Sequence, residues 1–331
     1  AMGISRNIYK SLNGSKIWFE EVNLLAGLSF RYGWTSSAKF GLVKLCRIEN
    51  LTDKKLTLKI LDGCRNIMPS SCTASLQNEK SVLLDAYKKA EVEPVSNTAL
   101  FTLSSIVTDK AEPSESLKTN VSWFTTKDPL ILSENAIDLF LSAKTDLLLA
   151  QKKELNGKRG QCFIVHESEL LGKSAECWEQ VFDTDYDAAK FAWLGAQIED
   201  RENAWKVLAE DIKKTDEALT SKIAEADGIE SSGNKIADLH HRTNVMFNIM
   251  RGGIFADDGK IRLNDFVDFT KIRNKKAGAE IESLVKGAKL ESKGKISRSQ
   301  LQELIFKSEN PEFKRLFLEY LPITFSRRHG D

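Results

Sequence analysis

Apolar and polar residues alternate along much of the first half of the chain, with the period of two that is typical of half-buried β-strands. Residues 40–63 contain two such runs, separated by a polar, turn-forming segment at 49–55. We therefore predict that residues 40–63 form an antiparallel hairpin around which a β domain is organised. The longest uninterrupted alternation follows residue 27 and places four large side chains on one parity: Leu28, Phe30, Tyr32 and Trp34.

Shorter runs extend this β pattern as far as residue 166. They predict strands at residues 16–22, 80–89, 117–125 and 161–166. Segment 98–109 is apolar on both parities, which predicts a central strand covered on both faces. Residues 133–141 predict a short helix with Ser133 as its N-cap. Strands with one apolar and one polar face favour an antiparallel β-sandwich or barrel over a buried parallel sheet.

The apolar period lengthens to three or four residues in the second half, which indicates helices. We predict one long amphipathic helix over residues 185–226, and shorter helices over 235–250, 298–307 and 311–320. A further helix is predicted from Asn264, its N-cap, through Ile272. The chain is therefore predicted to fold as an antiparallel β-sandwich domain (1–180) followed by an all-α region (181–331). The boundary is expected between residues 168 and 186.

Charge and cysteine content narrow the class of protein. The formal net charge is +1, so no strong field favours nucleic acid or a membrane surface, and neither is expected as a partner. The five cysteines show no CxxC spacing, which argues against a disulfide framework or zinc site and favours a reducing, cytoplasmic location. No stretch has the pattern of a signal peptide or a membrane span. Residues 1–3 resemble a cloning remnant, so we expect an excised fragment.

Few motifs carry recognisable chemistry. The turns at Asp257-Asp258-Gly259 and Lys293-Gly294-Lys295 resemble the middle of EF-hand loops, but both lack the carboxylate required at the first loop position. They are interpreted as turns before helices. His240-His241 cannot form an i, i+4 metal pair, and the chain has no nucleotide-binding or acyl-transfer motif. We therefore expect no cofactor, no metal and no catalytic residue in this chain.

One polar cluster near residue 331 is the candidate binding site of the sequence. Two guanidinium groups, an imidazole and a carboxylate lie within six residues, a composition suited to phosphate or sugar hydroxyl groups. A solvated polar segment is an equally good interpretation. The candidate carbohydrate- or anion-binding residues are Arg327, Arg328, His329 and Asp331.

Four segments resemble bacterial cellobiose- or chitobiose-phosphorylase-like, six-hairpin glycosidase-like proteins. They are residues 61–63 (LDG), 83–89 (LLDAYKK), 244–253 (NVMFNIMRGG) and 321–331 (LPITFSRRHGD). The resemblance implies a galactose-mutarotase-like β-supersandwich joined by a helical linker to an (α/α)6 barrel. In that family the barrel carries the general-acid carboxylate and the phosphate site. The chain ends where such a barrel would begin, so no catalytic residue is carried over from the family.

The resemblance leads to a functional prediction with two alternatives. We expect a non-catalytic N-terminal portion of a glycoside phosphorylase- or hydrolase-like protein, which supports a barrel and its active-site rim. Its expected partners are an oligosaccharide, through the parent protein, the C-terminal barrel, and a second copy in a homodimer. A free-standing carbohydrate-binding module is the first alternative, with Trp34, Trp123 and Trp178 as candidate sugar-stacking residues. A small glycoside-processing enzyme is the second, disfavoured because no catalytic constellation is found.

Overall fold

The structure of the protein is a computed structural model that describes residues 3–104, 118–150, 153–288 and 294–325. It divides into two compact units, residues 1–215 and 216–331, which we call the β unit and the helical unit. The predicted division at 180/181 falls within a strand of the β unit, and the two helices that follow this strand belong to the β unit up to Thr215.

The β unit is built on a nine-stranded antiparallel sheet, which we call the main sheet. Its spatial order is β1-β2-β3-β4-β11-β8-β7-β6-β9. The remaining two strands, β5 and β10, form a separate antiparallel pair. The strands are β1 (Ile4–Lys10), β2 (Ile17–Asn23), β3 (Leu28–Ser37), β4 (Gly41–Asn50), β5 (Leu56–Ile67), β6 (Lys88–Glu93), β7 (Thr98–Leu103), β8 (Thr119–Phe124), β9 (Glu154–Asn156), β10 (Gly160–Leu170) and β11 (Ala175–Tyr186).

The β5–β10 pair packs against one face of the main sheet, which we call the inner face, and completes a sandwich. The buried core between the layers includes Cys46 and Ile48 from β4, Phe101 from β7 and Ile164 from β10. Apolar side chains of β5, including Leu58 and Ile60, pack against the same core. This arrangement confirms the predicted antiparallel β-sandwich.

The predicted hairpin over residues 40–63 is wrong. Both runs are strands, but β4 pairs with β3 and β11 in the main sheet, whereas β5 pairs with β10. The chain crosses from one layer to the other after the fully buried Asn50, whose amide donates to the Lys54 and Leu170 carbonyl oxygens. The apolar sides of both runs face one core from opposite layers. Alternation alone cannot distinguish that arrangement from side-by-side pairing.

Two further strand predictions also need correction. Residues 80–89 are not one strand, because α1 (Ala74–Ala86), capped by the Thr73 side chain, precedes β6. The long strand β11 was missed, although it lies at the centre of the main sheet. Its inward side chains include the fully buried, polar Gln180 beside Trp178, which interrupts the apolar alternation.

The predicted central strand is confirmed over residues 98–103. Strand β7 contributes Ala99 and Phe101 to the core on the inner face of the main sheet and Leu100 to the core on its outer face. Residues 105–109 of that prediction lie outside the described residues.

Helices cover the outer face of the main sheet. The predicted long helix is two helices, α4 (Ala188–Ile198) and α5 (Arg201–Glu225). Asp200 accepts hydrogen bonds from the backbone of Glu202 and Asn203 and so begins the second helix. Both helices bury apolar side chains against Val43, Trp123 and Val181 of the sheet: these are Leu194, Ile198, Leu208 and Ile212. Two short helices, α2 (Ala136–Leu141) and α3 (Thr145–Leu149), complete the β unit; α2 begins after Asn135 rather than at Ser133.

The helical unit consists of two helix–loop–helix segments and a final helix. The first segment joins α6 (Lys235–Met250) to α7 (Leu263–Arg273), and the second joins α8 (Lys275–Gly287) to α9 (Arg298–Phe306). Their loops pair through β13 (Lys260–Arg262) and β14 (Lys295–Ser297), with Ile261 opposite Ile296. Helix α10 (Pro311–Glu319) buries Phe313, Leu316 and Phe317 in the shared core, and β12 (Gly253–Phe255) pairs with β15 (Ile323–Phe325). The predicted order of a β-sandwich followed by helices is confirmed.

Candidate functional site

Part of the inner face of the main sheet is left open. The two-stranded β5–β10 layer is narrower than the nine-stranded sheet, and its contacts reach β4 and β11 through Asp62, which bonds to Lys44 and Trp178. Beyond this covered region, the inner faces of β1 to β4 line an open cavity of about 570 Å³. We call it the β1–β4 cavity.

Aromatic side chains form a continuous row along the inner face. Phe19 stacks on Tyr32 with ring centroids 5.1 Å apart, Tyr32 lies 6.4 Å from Phe30, and Phe30 lies 6.3 Å from Trp178. The register explains the row, because Phe19 faces Tyr32 across β2 and β3 and Phe30 faces Ile48 across β3 and β4. The row therefore runs from the floor of the β1–β4 cavity into the buried core, where Trp178 is 1% exposed.

The rim of the β1–β4 cavity carries an ion pair. Arg6 and Glu21 are register partners on β1 and β2, and Arg6 Nε donates to Glu21 Oε2 at 2.8 Å. Both side chains are open to solvent, with 77% and 45% of their areas exposed. Asn23 also lines the cavity, and its side chain accepts a hydrogen bond from the Ala26 amide.

A polar network behind the cavity ties β1, β2 and β3 together. The Glu20 carboxylate points to the outer face, where it accepts hydrogen bonds from Asn7 (2.9 Å), Tyr9 (2.8 Å) and Arg31 (2.5 Å). Burial alone would raise the pKa of Glu20, but these donors outweigh it and lower the pKa to about 2. The carboxylate therefore stays ionised at neutral pH and holds the three strands that carry the cavity floor.

A second polar group, the His166 cluster, lies at the other end of the aromatic row. His166 contacts the Trp178 ring at 5.3 Å and bonds through Nδ1 to Asp128 (2.7 Å) and through Nε2 to Glu176 (3.0 Å). Glu176 also accepts a hydrogen bond from Ser168. The bond to Asp128 is the main cause that raises the pKa of His166 to about 9, because both carboxylates stabilise the imidazolium. Both carboxylates therefore bind the same charged imidazole. A catalytic acid and base would instead face each other across the space that the sugar occupies.

A buried ion pair closes the covered part of the inner face. Lys44 and Asp62 have side chains that are 7% and 8% exposed, and Asp62 also accepts hydrogen bonds from Cys46 Sγ and Trp178 Nε1. Burial would lower the pKa of Lys44, but Asp62 beside it reverses the effect and raises that pKa. The pair joins β4, β5 and β11, so it fixes the position of the second layer.

The structure places the residues that the sequence had singled out in different environments. The predicted binding residues Arg327, Arg328, His329 and Asp331 lie outside the described residues. Trp123 and Trp178, candidates for sugar stacking, are each 1% exposed and belong to the cores, and Trp34 is half-buried. The cavity floor uses Phe19, Phe30 and Tyr32 instead. Their alternation was visible in the sequence, but it could not show that no strand in the described ranges covers them.

The histidine pair of the helical unit has a structural environment. His240 is exposed, whereas His241 is 1% exposed and its two ring nitrogens lie 2.9 Å from the Leu318 carbonyl oxygen and 2.5 Å from that of Asp227. Burial is the main cause that lowers the pKa of His241. This histidine links α6 to the end of α10 and to the segment before α6.

The two turns that resemble EF-hand loops precede paired short strands and helices, in the layout of an EF-hand pair. In the first turn, the Asp257 carboxylate is held by two protein cations, Arg262 at 2.8 Å and Lys295 at 2.9 Å. These two partners lower the pKa of Asp257 to about 2. Among the described residues, no group of three or more histidine, cysteine or carboxylate side chains is placed to hold a metal ion.

A comparison with protein families matches residues 255–322 to the family model described as glycoside hydrolase family 149 insertion domain 1. The matched segment begins at the loop after α6 and ends after α10, so it covers most of the helical unit. The match confirms the predicted resemblance to carbohydrate-active, glycosidase-like proteins. A comparison with curated proteins gives no match.

Solved structures give more distant similarities. A human-microbiome protein assigned as a kojibiose phosphorylase aligns with a TM-score of 0.44 and 10% identity, over 81% of this chain and 33% of that one. The Slr1438 protein of Synechocystis sp. PCC 6803 aligns with a TM-score of 0.28 and 7% identity, over 54% of this chain and 65% of that one. The chain therefore spans about a third of the length of the first structure.

Every helix in the described ranges is too short or too polar to cross a lipid bilayer.

Proposed function

We propose that this chain is a non-catalytic portion of a carbohydrate-active, glycoside-phosphorylase-like protein, and that it supports a catalytic barrel and the rim of its active site. The match of residues 255–322 to an insertion domain of a glycoside hydrolase family carries this proposal. A galactose-mutarotase-like supersandwich, a bacterial and cytoplasmic parent protein, and an oligosaccharide as partner through that parent are parts of the same proposal.

The chemistry of the β unit supports a non-catalytic role. Glycoside cleavage requires a general acid and either a second carboxylate or a phosphate held on the other side of the sugar. In the His166 cluster, Asp128 and Glu176 both bond to one imidazolium ion, so neither is free to protonate a glycosidic oxygen. Glu179, whose pKa burial raises, bonds instead to Thr125 at 2.9 Å on the outer face beneath α5.

Turnover assays of the purified chain test the proposal. The chain is incubated with cellobiose or chitobiose, with and without inorganic phosphate, and released sugar and sugar phosphate are quantified against an active disaccharide phosphorylase. We expect no turnover above the buffer blank. Turnover by the wild-type chain that Glu176→Gln abolishes would overturn the proposal and identify the His166 cluster as catalytic.

A further inference from the structure

The β1–β4 cavity is apolar at its floor and polar at its rim, and no side chain of the described residues fills it. Phe19, Phe30 and Tyr32 are only partly buried there, although the same aromatic row is fully buried at Trp178. Ile8 on the edge strand β1 is 68% exposed beside them. A contiguous apolar surface of this kind on a folded unit is typical of a binding site.

The size and lining of the cavity match those of a ligand site. Its volume of about 570 Å³ lies within the range of small-molecule sites, which combine an apolar lining with a few placed polar groups. The strands that form it are held from behind by the Glu20 network, so the floor is preorganised. A rigid floor reduces the entropy that would be lost when a ligand binds.

The rim indicates an uncharged ligand with both donors and acceptors. Arg6 offers N–H donors and Glu21 offers acceptor oxygens, and their charges cancel. The pair carries no net charge, so it favours neither an anion nor a cation. A wholly apolar occupant would remove water from both side chains without replacing its hydrogen bonds. A sugar ring meets both requirements, because its C–H faces are apolar and its hydroxyl groups donate and accept at the edge.

We propose that the β1–β4 cavity binds a neutral oligosaccharide. Sugar rings lie on the floor formed by Phe19, Phe30 and Tyr32, and hydroxyl groups bond to the Arg6–Glu21 pair. This inference rests on the proposed function, since it assigns the carbohydrate partner to a site in the β unit. The lining residues of this site belong to the β unit and are not among residues 255–322, which carry the family match.

Isothermal titration calorimetry of the full chain with cellobiose, cellotetraose and chitobiose tests the inference. We expect wild-type binding that weakens about tenfold in Phe19→Ala, which removes a floor ring, and about threefold in Arg6→Ala, which removes a rim donor. Val95→Ala is the matched control, since Val95 is 93% exposed in the β6–β7 turn and should leave affinity unchanged. Low and high salt should give the same affinity because the ligand is neutral.

Three calorimetric outcomes would overturn the inference: no binding of any of these sugars by the wild type, equal weakening in Val95→Ala, or affinity unchanged in both site variants. If Phe19→Ala fails to fold, Arg6→Ala and Glu21→Gln decide the test, because both alter exposed side chains.

Sedimentation tests the competing occupant, a second copy of this chain. A wild-type dimer that Ile8→Glu dissociates would assign the surface to that second copy and overturn the inference. Absence of binding leaves the non-catalytic proposal standing, whereas turnover removes that proposal whatever the calorimetry shows.

Discussion

The His166 cluster makes the stability of the β unit depend on pH in a defined direction. The folded-state pKa of His166 is raised above its unfolded value, so its contribution is fully present below about pH 6.5 and is lost as pH rises through about 9. Replacing the imidazole by an uncharged amide in His166→Gln removes this contribution. We therefore expect the unfolding free energy of the wild type to exceed that of the variant most near pH 6, and the two values to converge by pH 10.

The magnitude follows from the size of the pKa change. A rise from 6.5 to about 9, at about 1.4 kcal/mol for each pH unit, corresponds to about 3 kcal/mol when both states are fully protonated. His166 is 12% exposed, but its partner Glu176 is 38% exposed and therefore partly screened by solvent. We expect the difference in unfolding free energy between wild type and variant to shrink by about 2–3 kcal/mol across this window.

Urea denaturation at several pH values, followed by tryptophan fluorescence, measures this difference, and NMR titration of the imidazole carbons measures the pKa itself. His240→Gln is the control, because it alters an exposed histidine in the helical unit. Asp128→Asn should lower the titration midpoint of His166, since Asp128 is the main cause of its high pKa. A His166 midpoint near 6.5 in the wild type, or a constant free-energy difference between pH 6 and pH 10, would show that the two carboxylates do not stabilise the imidazolium.

Three other perturbations give expected outcomes. Asp62→Ala leaves the buried Lys44 ammonium without its carboxylate and should lower the unfolding free energy by about 3–5 kcal/mol in urea denaturation. The double variant Lys44→Met, Asp62→Leu should recover most of this loss. A loss below about 1 kcal/mol for the single variant would contradict the prediction. Gly63→Ala should lower the unfolding free energy by about 1–3 kcal/mol in the same assay, because Gly63 has φ +157° and an added methyl group would meet the backbone of β10. A Gly63→Ala variant as stable as the wild type would show that β5 can shift to make room for the methyl group. Limited proteolysis, read by mass spectrometry, should cut the chain first within residues 226–234, which lie between two helices. Residues 168–186 should be cut later, because most of them lie in β10 and β11. First cuts within these strands would contradict the assignment of residues 168–186 to the sheets.

Much of the secondary structure could be predicted, because the spacing of apolar residues along a segment shows which side of that segment is buried. Helix α6 has the predicted bounds, residues 235–250, because the Asn234 side chain caps its first turn and Gly252, just after its end, adopts φ +78°. The strand β11 could not be predicted in this way. Gln180 is fully buried yet polar, and its side-chain N–H groups donate to Ser122 Oγ and the Cys162 carbonyl oxygen, partners that only the assembled sandwich supplies.

The candidate site shows the same division. Phe19, Phe30 and Tyr32 were visible as strand residues on an apolar parity, but the sequence could not indicate that no strand of the described residues covers them. The His166 cluster joins residues from three separate segments, with Asp128 and His166 38 positions apart. No spacing rule connects such residues, because strand pairing and not chain neighbourhood brings them together.

Periodicity along the chain was enough to predict that a β-rich half precedes a helical half, where most helices lie, and which strand faces are apolar. It could not show that β4 and β5 belong to opposite layers, that β11 occupies the centre of the main sheet, or that β1 to β3 are left partly open. Hydrophobic periodicity records only whether one side of a segment is buried. What buries that side depends on strand order and layer width, which are set by contacts between residues distant along the chain.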